Sequence, residues 1–165
     1  MARSHGRALA LNSGQLPSLS GASIPSHPTR VDPLRPAWPI CMAISEVMNA
    51  ELHELADAGC PVIQMEEPAI HGMIGVDDKE ITSDFLVECF NREVRGLRAK
   101  TELWVHTCWG NPAAQRTETK RRFYTPALPY FDKLDVDVVT FEAADNGGDE
   151  IEDFAKAIGS DKKIC

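Results

Sequence analysis

The chain has 165 residues, a hydrophobic fraction of 43% and a net charge of −8, which together are typical of one globular domain in solution. The acidic balance argues against nucleic acid or an anionic membrane as the main partner, and no stretch approaches the roughly 20 apolar residues of a membrane span. Five cysteines without a disulfide-scaffold spacing indicate a reducing compartment, so we expect a cytoplasmic protein whose thiols are free or bound to metal.

Residues 1–40 differ from the rest of the chain in composition. They contain four arginines, one acidic residue (Asp32) and six prolines between Pro17 and Pro39. Without hydrophobic periodicity, such a segment lacks the apolar surface that would offset the entropy of ordering it. We therefore predict a disordered tail over 1–40 and a folded domain over 41–165, with an organellar transit peptide as the less favoured reading of the tail.

Helical and strand patterns alternate from residue 43 onward. The first helix is expected to end near Gly59 and to bury an apolar stripe of Ile44, Val47, Met48, Leu52 and Leu55. Thr82 is a predicted N-cap for a second helix, and Asp149 for a later one. Buried strands are predicted over 61–65, 102–106 and 136–141, a short helix over 126–134, and a further strand from 162. This alternation predicts βαβ units around a parallel sheet.

Side chains suited to metal binding or acid–base chemistry follow three of these strands. Glu66 and Glu67 follow the first strand, His106 and Cys108 the second, and Glu142 the third. The carboxyl ends of parallel strands meet at one edge of the sheet, where ligands bind in folds of this class. We therefore expect these side chains to lie near one another.

The pair His106 and Cys108 combines two good zinc ligands, and Glu142 is a natural third. A hydrogen-bonded strand-end histidine and a buried cysteine explain the pair equally well, so both interpretations stay open. Only one of Glu66 and Glu67 is expected to face the interior, because adjacent strand residues point to opposite faces. That carboxylate is predicted to hold a substrate amino group or to exchange protons; the alternative is a solvated strand end or an acceptor of backbone N–H groups.

Weaker candidates surround this set. His71 follows the first strand, and Trp109 is a potential stacking surface beside Cys108. His53 is expected to be solvated, and the basic run Lys120–Arg122 to belong to an exposed excursion over 113–125.

Three segments resemble, in this order, the cobalamin-independent methionine synthase family in its shorter bacterial and archaeal form. They are AGCPVIQMEEPAI (Ala58–Ile70), HTCWGN (His106–Asn111) and VVTFE (Val138–Glu142). The resemblance implies an α/β fold that is a partial TIM (β/α)₈ barrel of about three to four βα units. It also implies Zn²⁺ held by His106, Cys108 and Glu142, with Glu66 on the amino group of the substrate.

The activity that the resemblance implies is methyl transfer from a methylated folate to the thiol of homocysteine. A free thiol is mostly protonated at neutral pH, and zinc makes its thiolate available. No catalytic acid or base is assigned among these residues.

Two departures from the family pattern leave alternatives open. Glu66 stands where the family usually has Asp, which favours alkyl transfer to another thiol, as in the related epoxide–coenzyme M transferases. A whole barrel needs about 250 residues. The family's fourth zinc ligand, a cysteine that Cys165 does not match, and its acid–base histidine lie farther along. We therefore expect a partial barrel with low activity on its own and self-association through exposed sheet edges, or else a non-catalytic zinc-binding fragment.

Overall fold

Helices and strands alternate along the chain in the computed structural model, which describes residues 9–10, 37–110, 123–144 and 147–165. The elements in chain order are β1 (Leu9–Ala10), α1 (Ala37–Asp57), β2 (Val62–Glu66), α2 (Ala69–Gly72), α3 (Ser83–Glu93), a 3₁₀ turn (Leu97–Ala99), β3 (Glu102–Thr107), a second 3₁₀ turn (Thr125–Ala127), α4 (Leu128–Phe131), β4 (Val138–Phe141), α5 (Ile151–Ala157) and β5 (Lys163–Ile164). The three predicted buried strands correspond to β2, β3 and β4, with ends that differ by one or two residues.

The five strands form one parallel sheet in the order β1-β2-β3-β4-β5. Because each strand lies beside the next one along the chain, right-handed crossovers place all the helices on the same face. Helix α1 packs on α3, and α3 packs on α4. The opposite face of the sheet is then the interior side of a barrel-type arrangement, which confirms the predicted α/β fold.

The hydrophobic core lies between the helices and one face of the sheet. Alternate residues of β2 and β3 are buried there, while their neighbours are half-buried on the other face. The core includes Ile63, Met65, Leu103, Val105, Val139, Leu52, Val87, Phe90, Leu97, Phe131 and Phe141. None of the helices in the described ranges combines the length and apolarity that crossing a membrane requires.

The structure describes two parts of the segment predicted to be a disordered tail, and the division into tail and domain stays a prediction. Residues 9–10 pair in parallel with Ile63 and Gln64 of β2, and α1 begins at Ala37 rather than after residue 40. Residues 1–8 and 11–36 lie outside the described part of the chain, as do residues 111–122, which contain Lys120–Arg122. A two-residue ladder uses only backbone groups, so composition carries no signal for it.

Helix α1 buries the later part of the predicted stripe, because Leu52 is in the core and Met48 and Leu55 pack against it. The prediction was wrong for the first two residues of the stripe. Ile44 and Val47 are 54% and 61% exposed, whereas Ser45 and Asn49 are buried. Ser45 Oγ donates to Glu93 Oε1 at 3.1 Å, and Asn49 Nδ2 donates to the Glu93 carbonyl oxygen at 2.8 Å. These bonds satisfy polar groups at the C-terminal end of α3, where carbonyls lack helical partners. Small polar residues therefore form the α1–α3 contact.

The predicted helix ends agree with the structure at Thr82 and Gly59 but not at Asp149. Thr82 Oγ1 accepts the Phe85 N–H at 3.1 Å, and Gly59 has the positive φ of +89° that glycine adopts readily after a helix. Helix α5 starts with Glu150 at the N-cap, and no side-chain bond caps it.

Glu150 is instead a buried carboxylate, 2% exposed, that connects the start of α5 to the segment around Tyr124 and Thr125. It accepts the backbone N–H groups of Tyr124 at 3.0 Å and Thr125 at 2.7 Å, and the Thr125 hydroxyl at 2.6 Å. Three donors satisfy this charge, which makes its burial tolerable.

Exchanging Leu52 for Ala is expected to destabilise the protein far more than exchanging Ile44 for Ala. Leu52 is 1% exposed, so its truncation leaves a cavity costing about 2–5 kcal/mol. Ile44→Ala should stay within about 0.5 kcal/mol, as exposed positions do. Urea unfolding of both variants gives the comparison; equal losses would mean that the α1 face is assigned incorrectly.

Glu150→Ala is expected to lower the free energy of unfolding by about 2–4 kcal/mol, because it leaves buried N–H donors without an acceptor. Glu150→Gln keeps one acceptor oxygen and should lose less. Thermal and urea unfolding measure both variants. If the alanine variant were as stable as the wild type, these three bonds would contribute nothing to the fold.

Candidate metal centre

Three polar residues lie side by side across the interior face of the sheet, at its carboxyl edge. In the strand pairing, Glu66 is opposite His106, and His106 is opposite Thr140. All three are half-buried, while Met65 and Val105 beside them point into the core. Strand alternation thus directs the polar row away from the helices.

The ligating atoms of Glu66, His106 and Cys108 all lie within 4.8 Å of one another. His106 Nε2 is 4.0 Å from Glu66 Oε2. Cys108 follows His106 by two residues, and the period of an extended chain returns its side chain to the same face. The structure therefore brings together the predicted His106 and Cys108 pair and adds Glu66 to it.

Neighbouring side chains hold two members of this cluster in place. His106 Nδ1 lies 2.8 Å from Thr140 Oγ1. Gln64 Nε2 donates to Glu66 Oε1 at 3.2 Å, which leaves Oε2 as the oxygen nearer to His106. Neither Gln64 nor Thr140 is among the residues predicted from the sequence to belong to the site. Each lies two positions before a predicted residue, Glu66 or Glu142, and this alternate spacing in a strand was the available signal.

Glu142 lies beside the cluster, with its carboxylate turned to the backbone after Cys108. Glu142 Oε2 accepts the Trp109 N–H at 2.8 Å, and the Glu142 N–H donates to the Thr107 carbonyl at 3.2 Å. Among the described residues, the three ligating atoms that meet are those of Glu66, His106 and Cys108. The role of Glu142 as a metal ligand stays a prediction.

Glu67 faces away from the cluster, and its carboxylate accepts hydrogen bonds from the backbone. Its Oε1 accepts the N–H groups of Ala69 at 2.9 Å and Ile70 at 3.2 Å, at the start of α2. Burial raises the pKa of the Glu67 carboxyl, and these two bonds oppose that effect. As expected, only one of the two adjacent glutamates is on the interior face.

An aromatic wall flanks the cluster, formed by His71, Trp109 and Tyr124. The ring of His71 meets Trp109 edge-on at 4.4 Å, and Trp109 stacks on Tyr124 at 4.6 Å. His71 Nδ1 lies 3.0 Å from Thr107 Oγ1, and the Tyr124 hydroxyl donates to the Thr107 carbonyl at 3.3 Å. His71 and Trp109 thus lie near the rim as anticipated, whereas nothing in the sequence indicated Tyr124.

Burial raises the pKa of the Tyr124 phenol well above its ordinary value, and negative charge on Glu142 and Cys108 adds to the effect. The phenol therefore stays neutral and can donate its hydrogen bond to the Thr107 carbonyl. His53 contributes nothing to this region. Its Nε2 lies 2.9 Å from the Arg95 carbonyl oxygen, in an exposed contact between α1 and the end of α3.

The donor atoms fit a divalent transition metal such as zinc. Donors around a tetrahedral zinc with bonds of about 2.0–2.3 Å stand about 3.4–3.8 Å apart. In this cluster His106 Nε2 and Glu66 Oε2 are 4.0 Å apart, and all three ligating atoms lie within 4.8 Å of one another. These atoms would therefore have to move about 1 Å closer together to bind zinc. A thiolate and a carboxylate together balance the two positive charges of the ion.

Comparison with known proteins gives consistent matches to one group. A family model described as "Cobalamin-independent synthase, Catalytic domain" matches residues 26–165. The match begins inside the segment that composition assigns to the tail and includes every strand from β2 to β5.

Curated relatives carry related names. The methionine synthase of Sulfurisphaera tokodaii is 27% identical over 68% of this chain and 28% of its own length. That of Saccharolobus solfataricus is 33% identical over 59% of this chain and 24% of its own length. The 5-methyltetrahydropteroyltriglutamate–homocysteine methyltransferase of Halalkalibacterium halodurans is 27% identical over 73% of this chain and 15% of its own length.

The matched part of the chain thus spans less than a third of each of these relatives. The family model nevertheless covers most of the chain, and it includes the strands that carry Glu66, His106, Cys108 and Glu142. The chain therefore belongs to the family of cobalamin-independent synthase catalytic domains.

Proposed function

We propose that this chain takes part in zinc-dependent transfer of a methyl group from a methylated folate to the thiol of homocysteine. The observation that carries the proposal is the meeting of the ligating atoms of Glu66, His106 and Cys108 within 4.8 Å at the carboxyl edge of the sheet. Family membership and the names of the relatives support the reaction class. Five cysteines free of disulfides support a cytoplasmic location.

His106 and Cys108 are the proposed metal ligands, with Glu142 as the third. The hydrogen bond from the Trp109 N–H keeps the Glu142 carboxylate beside the residue that follows Cys108, which supports this assignment. Bound zinc lowers the pKa of a coordinated thiol and holds it as the thiolate.

Glu66 is the proposed partner of the substrate's amino group. Its carboxylate is half-buried on the interior face, and Gln64 orients one of its oxygens. A positively charged ammonium group there forms a charge-assisted hydrogen bond in a partly desolvated setting.

A second candidate is alkyl transfer to a thiol without an amino group, of the coenzyme M type. The observation that favours it is the reach of Glu66, whose Oε2 comes to 4.0 Å from His106 Nε2. With its carboxylate that close to the metal donors, less room remains for an ammonium group between them. A zinc-binding chain without activity is the third reading, with self-association through the edges of the sheet.

Cys108→Ser is expected to weaken zinc binding by at least about 100-fold, more than the 10–100-fold effect typical of residues that hydrogen-bond to a metal ligand. The thiolate is the softest of the proposed ligands, and a hydroxyl replaces it poorly. Cys165→Ser, at an exposed position, is the matched control. Competition with a chromophoric chelator measures both affinities, and unchanged zinc binding by Cys108→Ser would refute the proposed site.

We expect the variants Glu142→Gln and Glu66→Gln to distinguish the glutamate that binds zinc from the glutamate that binds the substrate. Glu142→Gln should lower zinc affinity, because a neutral amide is a weak ligand, yet it can still accept the Trp109 N–H. Glu66→Gln should retain zinc and lose about 10- to 150-fold in homocysteine affinity, the value of one hydrogen bond to a charged group. Chelator competition and calorimetry on zinc-loaded protein give the two constants.

The control ligand in that experiment is 2-mercaptoethanesulfonate, because this thiol has no amino group for Glu66 to bind. Loss of zinc in Glu66→Gln but not in Glu142→Gln would make Glu66 the third ligand. Equal homocysteine binding by Glu66→Gln and the wild type, with tight binding of the sulfonate thiol, would support the second candidate instead.

A further inference from the structure

We infer that Thr140 is a positioning residue that fixes the tautomer of His106 and so presents Nε2 to Glu66 and Cys108 as an unprotonated donor atom. The consequence for metal binding rests on the proposed function, whereas the tautomer itself follows from hydrogen bonds among residues of the sheet.

Two contacts of the Thr140 hydroxyl decide where the protons lie. Oγ1 is 3.2 Å from the Val105 carbonyl oxygen and 2.8 Å from His106 Nδ1. A carbonyl oxygen only accepts hydrogen bonds, so the hydroxyl proton goes to Val105. The hydroxyl oxygen is then the acceptor for His106, and Nδ1 must carry the ring proton. A neutral imidazole protonated at Nδ1 has a free lone pair at Nε2.

The opposite tautomer is a worse fit to the same atoms. It would turn the hydroxyl proton toward Nδ1 and leave the oxygens of Thr140 and Val105 facing each other at 3.2 Å without a hydrogen between them.

Strand pairing gives Thr140 a defined position for this task. It is directly opposite His106 in the β3–β4 ladder, on the same interior face. Threonine is branched at Cβ and therefore restricted at χ1, so its hydroxyl has few orientations to lose. Half-burial limits competition from water for both hydrogen bonds. Metal-binding histidines commonly have such a second partner, whose loss costs about 10–100-fold in metal affinity.

Nitrogen-15 NMR of the His106 ring in metal-free full-length chain tests the tautomer directly. The chemical shifts of the two ring nitrogens report which of them carries the proton. We expect Nδ1–H in the wild type and in Thr140→Ser, which keeps the hydroxyl. Thr140→Val, equal in shape but without the hydroxyl, should lose this preference, and so should Thr140→Ala.

The inference is overturned if the wild type has its proton on Nε2, or if Thr140→Val and Thr140→Ala both keep the wild-type shifts. The wild-type and Thr140→Ser spectra decide the matter even if the valine variant does not fold. A purely structural role for Thr140 would change stability and leave the tautomer unaltered.

Zinc titration of the same samples measures the consequence for the metal. Thr140→Val should bind zinc about 10- to 100-fold more weakly than the wild type, with Thr140→Ser close to the wild type. An altered tautomer with unchanged zinc affinity would overturn the positioning role. If the wild type bound no zinc, the proposed function would fail, while the NMR comparison would still decide the tautomer.

Discussion

The register of three parallel strands is the constraint on which the candidate site depends. Pairing of β2, β3 and β4 sets Glu66, His106 and Thr140 in one row, and each reaches its neighbour through side chains. A slip of one residue in any of these ladders would turn that strand's member of the row into the apolar core. The relative positions of these three side chains therefore depend on the register of the strand pairing.

Contacts at the opposite edge of the sheet help to hold that register. Asp137, just before β4, accepts the backbone N–H of Leu103 at 2.9 Å and the Arg98 Nε–H at 3.0 Å. The core-facing residues Leu103 and Val105 are fully buried, so a shifted ladder would expose them. Apolar burial and one anchored carboxylate thus fix, from a distance, where His106 stands relative to Thr140.

Negative charge is concentrated where the three strands end, and hydrogen-bond donors nearby partly offset that charge. Glu66 ends β2 and Glu142 follows β4, on either side of β3, and a side-chain amide or a backbone N–H donates to one oxygen of each. Tyr124, kept neutral by its raised pKa, adds no charge of its own. Such an arrangement attracts a cation and, beside it, a positively charged group on a substrate, which is the combination that an amino-acid thiol and a zinc ion require.

The sequence by itself determined the order of helices and strands, the strand ends that carry reactive side chains, and the family. These follow from local periodicity and from short motifs such as His106-x-Cys108, which need no knowledge of distant residues. The predicted stripe of α1 was wrong at Ile44 and Val47, which are exposed, while Ser45 and Asn49 are buried in hydrogen bonds to α3. The sequence predicted that the reactive side chains share one edge of the sheet. Only the tertiary structure decided that Glu66 is the carboxylate that meets His106 and Cys108, and that the Thr140 hydroxyl lies 2.8 Å from the ring. Both contacts join residues more than 30 positions apart, and strand register, which no local pattern encodes, brings them together.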